Sequence, residues 1–225
     1  MDEYVVIVAG GNGTRMGTQL PKQFIVLNGL PVLMHTILQF YRYNINIKII
    51  VVLPAIQIEF WKELCVKHNF SVAHEIVTGG NSRFHSVKNG LNSILYSNAL
   101  VAIHDGVRPF VPISVIEDSF ESASKYGSGV VAVALKDSIR KKISNENSTA
   151  LNRNDYVLMQ TPQTFNLMQI KSAFQVSENP SFTDDATVFE ASGYTIKLVE
   201  GDYKNIKITT PEDLIIAQAF INAQK

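Results

Sequence analysis

Along the chain, short unbroken apolar runs alternate with stretches of helical period. Val5 to Ala9 is a continuous apolar run that stops at glycines, as a strand buried on both faces would. Ile47 to Leu53 repeats the pattern and ends at Pro54, and Leu100 to Ile103 and Gly129 to Leu135 follow. Between them, Pro31 is expected at a first helical position, with Met34, Ile37, Leu38 and Tyr41 on one face. Phe60 and Leu64 mark a second helix, and Phe84, Val87, Leu91 and Ile94 a third at clean helical spacing. Thr210-Pro211-Glu212-Asp213 reads as a helix start, with Thr210 as the cap, Pro211 in the first position and acids in the first turn. A strand is expected just before it, over Asn205-Ile206-Lys207-Ile208-Thr209. This alternation predicts an α/β fold, a Rossmann-like and mainly parallel sheet with helices on both faces. In such sheets ligands bind beyond the carboxyl ends of the strands.

One region breaks the pattern. From Lys136 to Tyr156 the chain is polar and carries Asn145-Glu146-Asn147-Ser148 between two candidate strands, Ser138 to Ile143 and Thr149 to Leu151. It reads as a β-hairpin, either a projecting arm or an ordinary surface turn.

Composition narrows the class. The chain has 225 residues, 46% hydrophobic and 18% charged, enough to bury a sizeable core. Twenty basic residues balance twenty acidic ones, so no basic excess points to nucleic acid. Met1-Asp2-Glu3 is acidic where an export signal would be basic, and no run approaches the ~20 apolar residues of a membrane span. The one cysteine, Cys65, sits among Phe60, Trp61 and Leu64 and reads as packing. These features lead us to expect a cytoplasmic protein.

Candidate chemistry begins after the first strand, at Ala9-Gly10-Gly11-Asn12-Gly13-Thr14-Arg15-Met16-Gly17. Glycines there let backbone N–H groups approach a phosphate closely. A dinucleotide fingerprint fails, because Met16 stands where Gly or Ala is needed and no acid ends the next strand. A Walker A loop fails for want of Gly-Lys-Ser/Thr. A glycine-rich loop followed by Arg15 and Pro21-Lys22-Gln23 remains. Arg15 and Lys22 would bracket a phosphate and neutralise its oxygens during displacement, unless they are solvated surface cations.

Three further segments fall at strand ends or helix starts. His104-Asp105-Gly106-Val107-Arg108-Pro109 offers Asp105 for Mg²⁺ and Arg108 for a bidentate phosphate grip, with His104 read as structural rather than a ligand. Gly79-Gly80-Asn81-Ser82-Arg83-Phe84-His85-Ser86 holds a nucleobase edge or simply caps a helix, capping being the default. Lys207, in the expected last strand, completes the set.

Together and in this order, these segments resemble the cytidylyltransferases that act on 2-C-methyl-D-erythritol 4-phosphate. Gln160-Thr161-Pro162-Gln163 and Thr183-Asp184-Asp185-Ala186 also match, and the resemblance runs from the first strand to the last helix. It implies a single nucleotidyltransferase domain over residues 1–225, with a dimerisation arm at about 136–156. It implies CTP and a sugar-alcohol phosphate as substrates, Mg²⁺ as cofactor, in-line attack on the α-phosphorus with release of pyrophosphate, and no general base. Ala9, Gly10, Gly11, Gly80, Asn81 and Ser86 would hold CTP, the last three near the cytosine. Arg15 and Lys22 would stabilise charge on the α-phosphate, and Asp105 would lie close to Mg²⁺ and the ribose or substrate. Arg108 and Lys207 would contact the substrate phosphate. Arg153, with Ser138 near it, would cross a homodimer interface into the neighbour's site.

Rival readings are a sibling enzyme for D-ribitol 5-phosphate, a uridylyl or other sugar-nucleotide transferase, and an idle nucleotide-binding module. The compact Phe84-His85-Ser86-Val87 stretch favours methylerythritol phosphate over ribitol phosphate. Retention of Arg15, Lys22, Asp105 and Lys207 argues against the idle module. Asp184 and Asp185 either cap the helix that follows or serve the site, and capping is favoured.

Overall fold

The computed structural model describes residues 1–11, 20–96 and 98–223. Its first half is built from β1 (Asp2–Val8), the short β2 (Val26–Leu27) and β3 (Leu30–Pro31), α1 (Val32–Tyr43), β4 (Lys48–Leu53), α2 (Ala55–Lys67), β5 (Glu75–Thr78) and α3 (Arg83–Ser93). Then come β6 (Ala99–Asp105), α4 (Ile113–Tyr126), β7 (Ser128–Ala134), β8 (Ile139–Lys142), β9 (Ser148–Leu151) and β10 (Val157–Asn166). The chain ends with α5 (Leu167–Ala173), α6 (Asp185–Ala191), β11 (Leu198–Glu200) and α7 (Pro211–Asn222).

Seven strands form one sheet in the order β11-β7-β10-β6-β1-β4-β5. Only β10 runs against its neighbours β6 and β7, so the sheet is mainly parallel as expected. The unbroken apolar runs now have a cause. Val5 and Ile7, with Ile49, Val51, Leu100 and Ala102, face a core completed by Leu33, Ile37 and Phe40 of α1, Trp61 of α2 and Phe120 of α4. Their neighbours Tyr4, Val6, Ile50, Val52, Val101 and Ile103 face the opposite core, made with Phe84, Val87 and Leu91 of α3 and Phe189 of α6. A strand covered by helices on both sides needs apolar residues at every position. Gly90 lets α3 lie close on this sheet, since a Cβ there would stand 2.6 Å from Val6 Cγ1 and 2.9 Å from Val52 Cγ2.

Local expectations needed three adjustments. Pro31 does not open α1: its ψ of 143° is extended, it ends β3, and the helix starts at Val32. The face that α1 buries centres on Leu33, Met34, Ile37 and Phe40, while Leu38 and Tyr41 are half-buried. The segment 205–209 is not a strand, because its backbone turns locally through Asn205 N–H to the Asp202 carbonyl and touches the 107 loop by Ile208 N–H to the Val107 carbonyl. The start of α7 is as read, with Pro211 first and Asp213 accepting the Thr210 N–H at 2.8 Å.

The polar insertion is a hairpin of its own. β8 and β9 pair antiparallel from Ile139–Leu151 to Lys142–Ser148, outside the main sheet, and residues 140–150 are exposed. Along the chain it falls between β7 and β10, and it is exposed over most of both strands.

Candidate functional site

Register decides where the loops meet. Val8 of β1 sits beside Val52 of β4 and Asp105 of β6, and Leu53 of β4 sits beside Thr78 of β5. The four strands therefore end at one level, and the loops after them enclose a cavity of about 340 Å³. Such a volume suits a small ligand. Ala9, Gly10 and Gly11 line it after β1, Gly80, Asn81 and Ser86 after β5, and Asp105 at the end of β6, with Lys22 and Lys207 reaching it from the segments before α1 and α7.

Lys22 is placed by its neighbour. Gln23 is fully buried and donates from Nε2 to the Ala9 carbonyl at 2.8 Å and to Gln57 Oε1 of α2 at 2.7 Å. This ties the Pro21–Phe24 turn to the end of β1. A Cβ on Gly11 would come within 3.1 Å of Lys22 Cε, so glycine there leaves room for the lysine stem to lie against the loop. Sequence reading noted Gln23 only as part of a motif. An uncharged side chain in a polar turn carries no signal of burial until the turn is folded against the sheet.

The loop after β5 is both cap and cavity wall. Ser82 caps α3 by accepting the His85 N–H at 3.2 Å. Ser86 is buried, donates to the Ser82 carbonyl at 2.8 Å and accepts the Gly80 N–H at 3.1 Å. A Cβ on Gly80 would collide with His85 Cβ, so only glycine lets the turn pass there. Capping thus explains Ser82, while Gly80, Asn81 and Ser86 face the cavity.

Asp105 is an ionic hub. Its Oδ2 lies 3.1 Å from Arg108 Nε and 3.1 Å from Lys207 Nζ, and its Oδ1 faces Arg83 Nε at 3.9 Å. Burial alone would raise its pKa, but Lys207, Arg83 and Arg108 outweigh that and hold the carboxyl well below the usual range. Its backbone N–H donates to Thr161 Oγ1 at 3.1 Å, where a register shift in β10 between Met159 and Gln163 leaves Gln160, Thr161 and Pro162 out of the regular pairing. Asn205 Nδ2 donates to the Thr161 carbonyl at 2.8 Å and so fixes the loop that carries Lys207.

Other expected residues fall elsewhere. Arg108 lies beside the cavity rather than in its lining, 12% exposed, held by Asp105 and by the Asn205 carbonyl at 2.8 Å from Nη1. Arg153 and Ser138 stand exposed on the arm, away from this cavity, with Arg153 donating to the Lys136 carbonyl. Arg15 lies outside the described residues. His104 is structural: fully buried, edge-on to Phe40 at 4.9 Å, and donating from Nε2 to the Arg108 carbonyl at 3.1 Å. Burial lowers its pKa to about 4, so it is neutral at physiological pH. Asp184 caps α6 by accepting the Thr187 N–H at 2.9 Å, as favoured. Asp185 does not cap: it is buried and grips Arg83, which lines the cavity.

Asp105 does not fit as a magnesium ligand. Arg108 and Lys207 hold its Oδ2 at 3.1 Å and Arg83 faces its Oδ1 at 3.9 Å, three cations that would repel a divalent ion. Among the described residues there is no group of three or more His, Cys, Asp or Glu that could hold a metal ion. The expectation of Asp105 as metal ligand is therefore withdrawn. Neighbouring basic residues cannot be told apart from solvated ones along a sequence, so this saturation was not legible there.

Known proteins resemble this chain along nearly its whole length. The family model described as 2-C-methyl-D-erythritol 4-phosphate cytidylyltransferase matches residues 4–223. A protein of that name from Bacteroides thetaiotaomicron is 47% identical over 221 residues, covering 98% of this chain and 100% of the relative. Another from Porphyromonas gingivalis is 42% identical over 221 residues, covering 98% of each chain. Among solved structures, a 4-diphosphocytidyl-2C-methyl-D-erythritol synthase from Anaerococcus prevotii aligns with a TM-score of 0.83 at 30% identity, covering 98% of this chain and 96% of that one. A 2-C-methyl-D-erythritol 4-phosphate cytidylyltransferase from Thermus thermophilus aligns with a TM-score of 0.78 at 26% identity, covering 99% of this chain and 100% of that one.

Proposed function

The chain belongs to the 2-C-methyl-D-erythritol 4-phosphate cytidylyltransferase family, and from that premise we propose how its residues divide the reaction. The enzyme transfers a cytidylyl group from CTP to 2-C-methyl-D-erythritol 4-phosphate, releasing pyrophosphate, a step of isoprenoid precursor synthesis. The observation that carries the assignment of roles is one cavity lined at once by a glycine loop, by the Gly80–Ser86 turn and by Lys22 and Lys207.

In this reading the triphosphate lies along Ala9, Gly10 and Gly11, and cytosine meets Gly80, Asn81 and Ser86. A phosphate oxygen of the sugar alcohol attacks the α-phosphorus, and the bond from that phosphorus to the bridging oxygen breaks. The electron pair leaves on pyrophosphate, and no proton needs to move, because the attacking phosphate is already ionised. Asp105 would in any case be a poor base, since its cationic neighbours hold it deprotonated. Lys22 neutralises charge that builds on the α-phosphate oxygens, with Arg15 as its companion by resemblance. Lys207, in the cavity lining, receives the substrate phosphate; Arg108, beside that lining, joins it by resemblance to the family, and Asp105 holds both of them in place.

Mg²⁺ would supply charge neutralisation on the triphosphate, and Asp105, already facing three cations, would not serve as its ligand. We also propose a homodimer in which the arm brings Arg153 and Ser138 to the partner's site. Support comes from the exposure of the arm and of Tyr156, Val157 and Leu158 at the start of β10 beside it. Among the described residues, no helix is long and apolar enough to cross a membrane.

The test is pyrophosphate release with CTP and Mg²⁺, offering methylerythritol phosphate and ribitol phosphate in parallel. Turnover with the first is expected. Turnover with ribitol phosphate alone would overturn the substrate assignment.

A further inference from the structure

Arg83 is a cavity-lining cation held by a bidentate ion pair. Its Nη1 and Nη2 donate to the two oxygens of Asp185 at 2.8 and 2.6 Å, a bidentate grip, while its Nε faces Asp105 Oδ1 at 3.9 Å. Asp185 itself is fully buried and does not line the cavity. It begins α6, and neighbouring Asp184 is bound by Gln163 Nε2 at 2.8 Å. The result is a row of alternating charges running from Asp185 through Arg83 to Asp105 and on to Arg108 and Lys207.

The order of that row has a consequence. Asp105 offers its Oδ2 to the two cations that receive the substrate phosphate, and both would be drawn harder onto it if its charge were less compensated. Arg83 supplies the compensation from the Oδ1 side. A guanidinium fork fixed by two hydrogen bonds stays in place when a polyanion enters, whereas a cation held by one contact would swing toward the ligand.

We propose that Arg83 is a positioning residue for the sugar-alcohol phosphate, locked by Asp185 so that it balances Asp105 and leaves Lys207 and Arg108 able to bind substrate. This rests on the roles given to Lys207 and Arg108 above. Asp185 makes the cleaner probe, because anything its substitution does to the kinetics must travel through Arg83 or its helix.

The experiment is steady-state kinetics on wild type, Asp185→Asn, Arg83→Lys and the double variant, with each substrate varied in turn. Asp185→Asn keeps the shape of the side chain but breaks the fork. The expected result is a rise on the order of tenfold in KM for methylerythritol phosphate, with KM for CTP changed much less. The double variant should be no worse than the more impaired single one, because both act through the same link. If Asp185→Asn does not fold, Arg83→Lys, which keeps the charge and loses the fork, should show the same selective rise. A lower melting temperature with both KM values unchanged would overturn the proposal, as would effects that multiply in the double variant. Absence of wild-type turnover would instead sink the functional reading on which it rests.

Discussion

Lys207 Nζ lies 3.1 Å from Asp105 Oδ2, joining an irregular loop ahead of the last helix to the carboxyl end of a central strand. Arg108 Nε reaches the same oxygen from three residues away, also at 3.1 Å. One buried carboxylate oxygen therefore sets the spacing of two cations. Asp105→Asn should weaken both grips together, raising KM for methylerythritol phosphate on the order of tenfold or more. The Mg²⁺ concentration for half-maximal rate should barely move. A strong shift in that metal dependence would restore Asp105 as a magnesium ligand.

Lys22 has a different task. Its turn is fastened by Gln23 to the Ala9 carbonyl, and it lines the cavity, where its proposed role is to neutralise charge on the α-phosphate oxygens. Lys22→Ala should lower kcat on the order of 10²–10³-fold with a smaller change in either KM. A loss below about tenfold in single-turnover rate would remove it from the transition state.

His104 predicts an acid-sensitive fold. Its pKa falls from 6.5 when exposed to about 4 when folded, because burial disfavours the charged ring. For a group whose folded pKa is depressed, the unfolded chain binds more protons. Stability from neutral His104 is thus present above about pH 6.5 and is lost as pH falls toward about 4. Urea unfolding at pH 7 and pH 4.5 should show the loss, and His104→Gln should reduce that difference by about 2 kcal/mol. An unchanged difference would mean that other groups, such as His35 and His74 with their own lowered pKa values, carry the pH dependence.

Gly90 tests packing without touching chemistry. A methyl there would press on Val6 and Val52 beneath α3. Gly90→Ala should destabilise by about 1–3 kcal/mol in denaturant unfolding, despite the better helix propensity of alanine. Stabilisation instead would show that α3 can lift from the sheet at little cost.

The arm can be tested by complementation. If Arg153 serves the partner's site, Lys22→Ala and Arg153→Ala subunits, each nearly inactive alone, should recover about a quarter of wild-type activity after mixing and subunit exchange. One site in each mixed dimer would then hold an intact pair. No recovery, with exchange verified, would place Arg153 outside catalysis.

The sequence alone determined the architecture and the loops that matter. Strands such as Val5 to Ala9 are apolar at every position because both their faces are covered, and that demand is written residue by residue. Glycines at 10, 11 and 80, and Lys22 and Asp105, were legible because each falls at the end of a strand or in the loop after one, whereas Lys207, expected inside a strand, stood out only through the family resemblance. The tertiary structure alone decided the partnerships. Arg83 with Asp185 spans 102 residues, and Gln23 with Gln57 spans 34, so no local period or spacing announces either pair. The same holds for Asp105, which looks like a metal ligand in its turn and becomes a clamp for cations once β6, α3 and the 205–209 loop converge. Periodicity records what one element must bury. Which charges meet depends on how distant elements stack, and that is settled only when the sheet has folded.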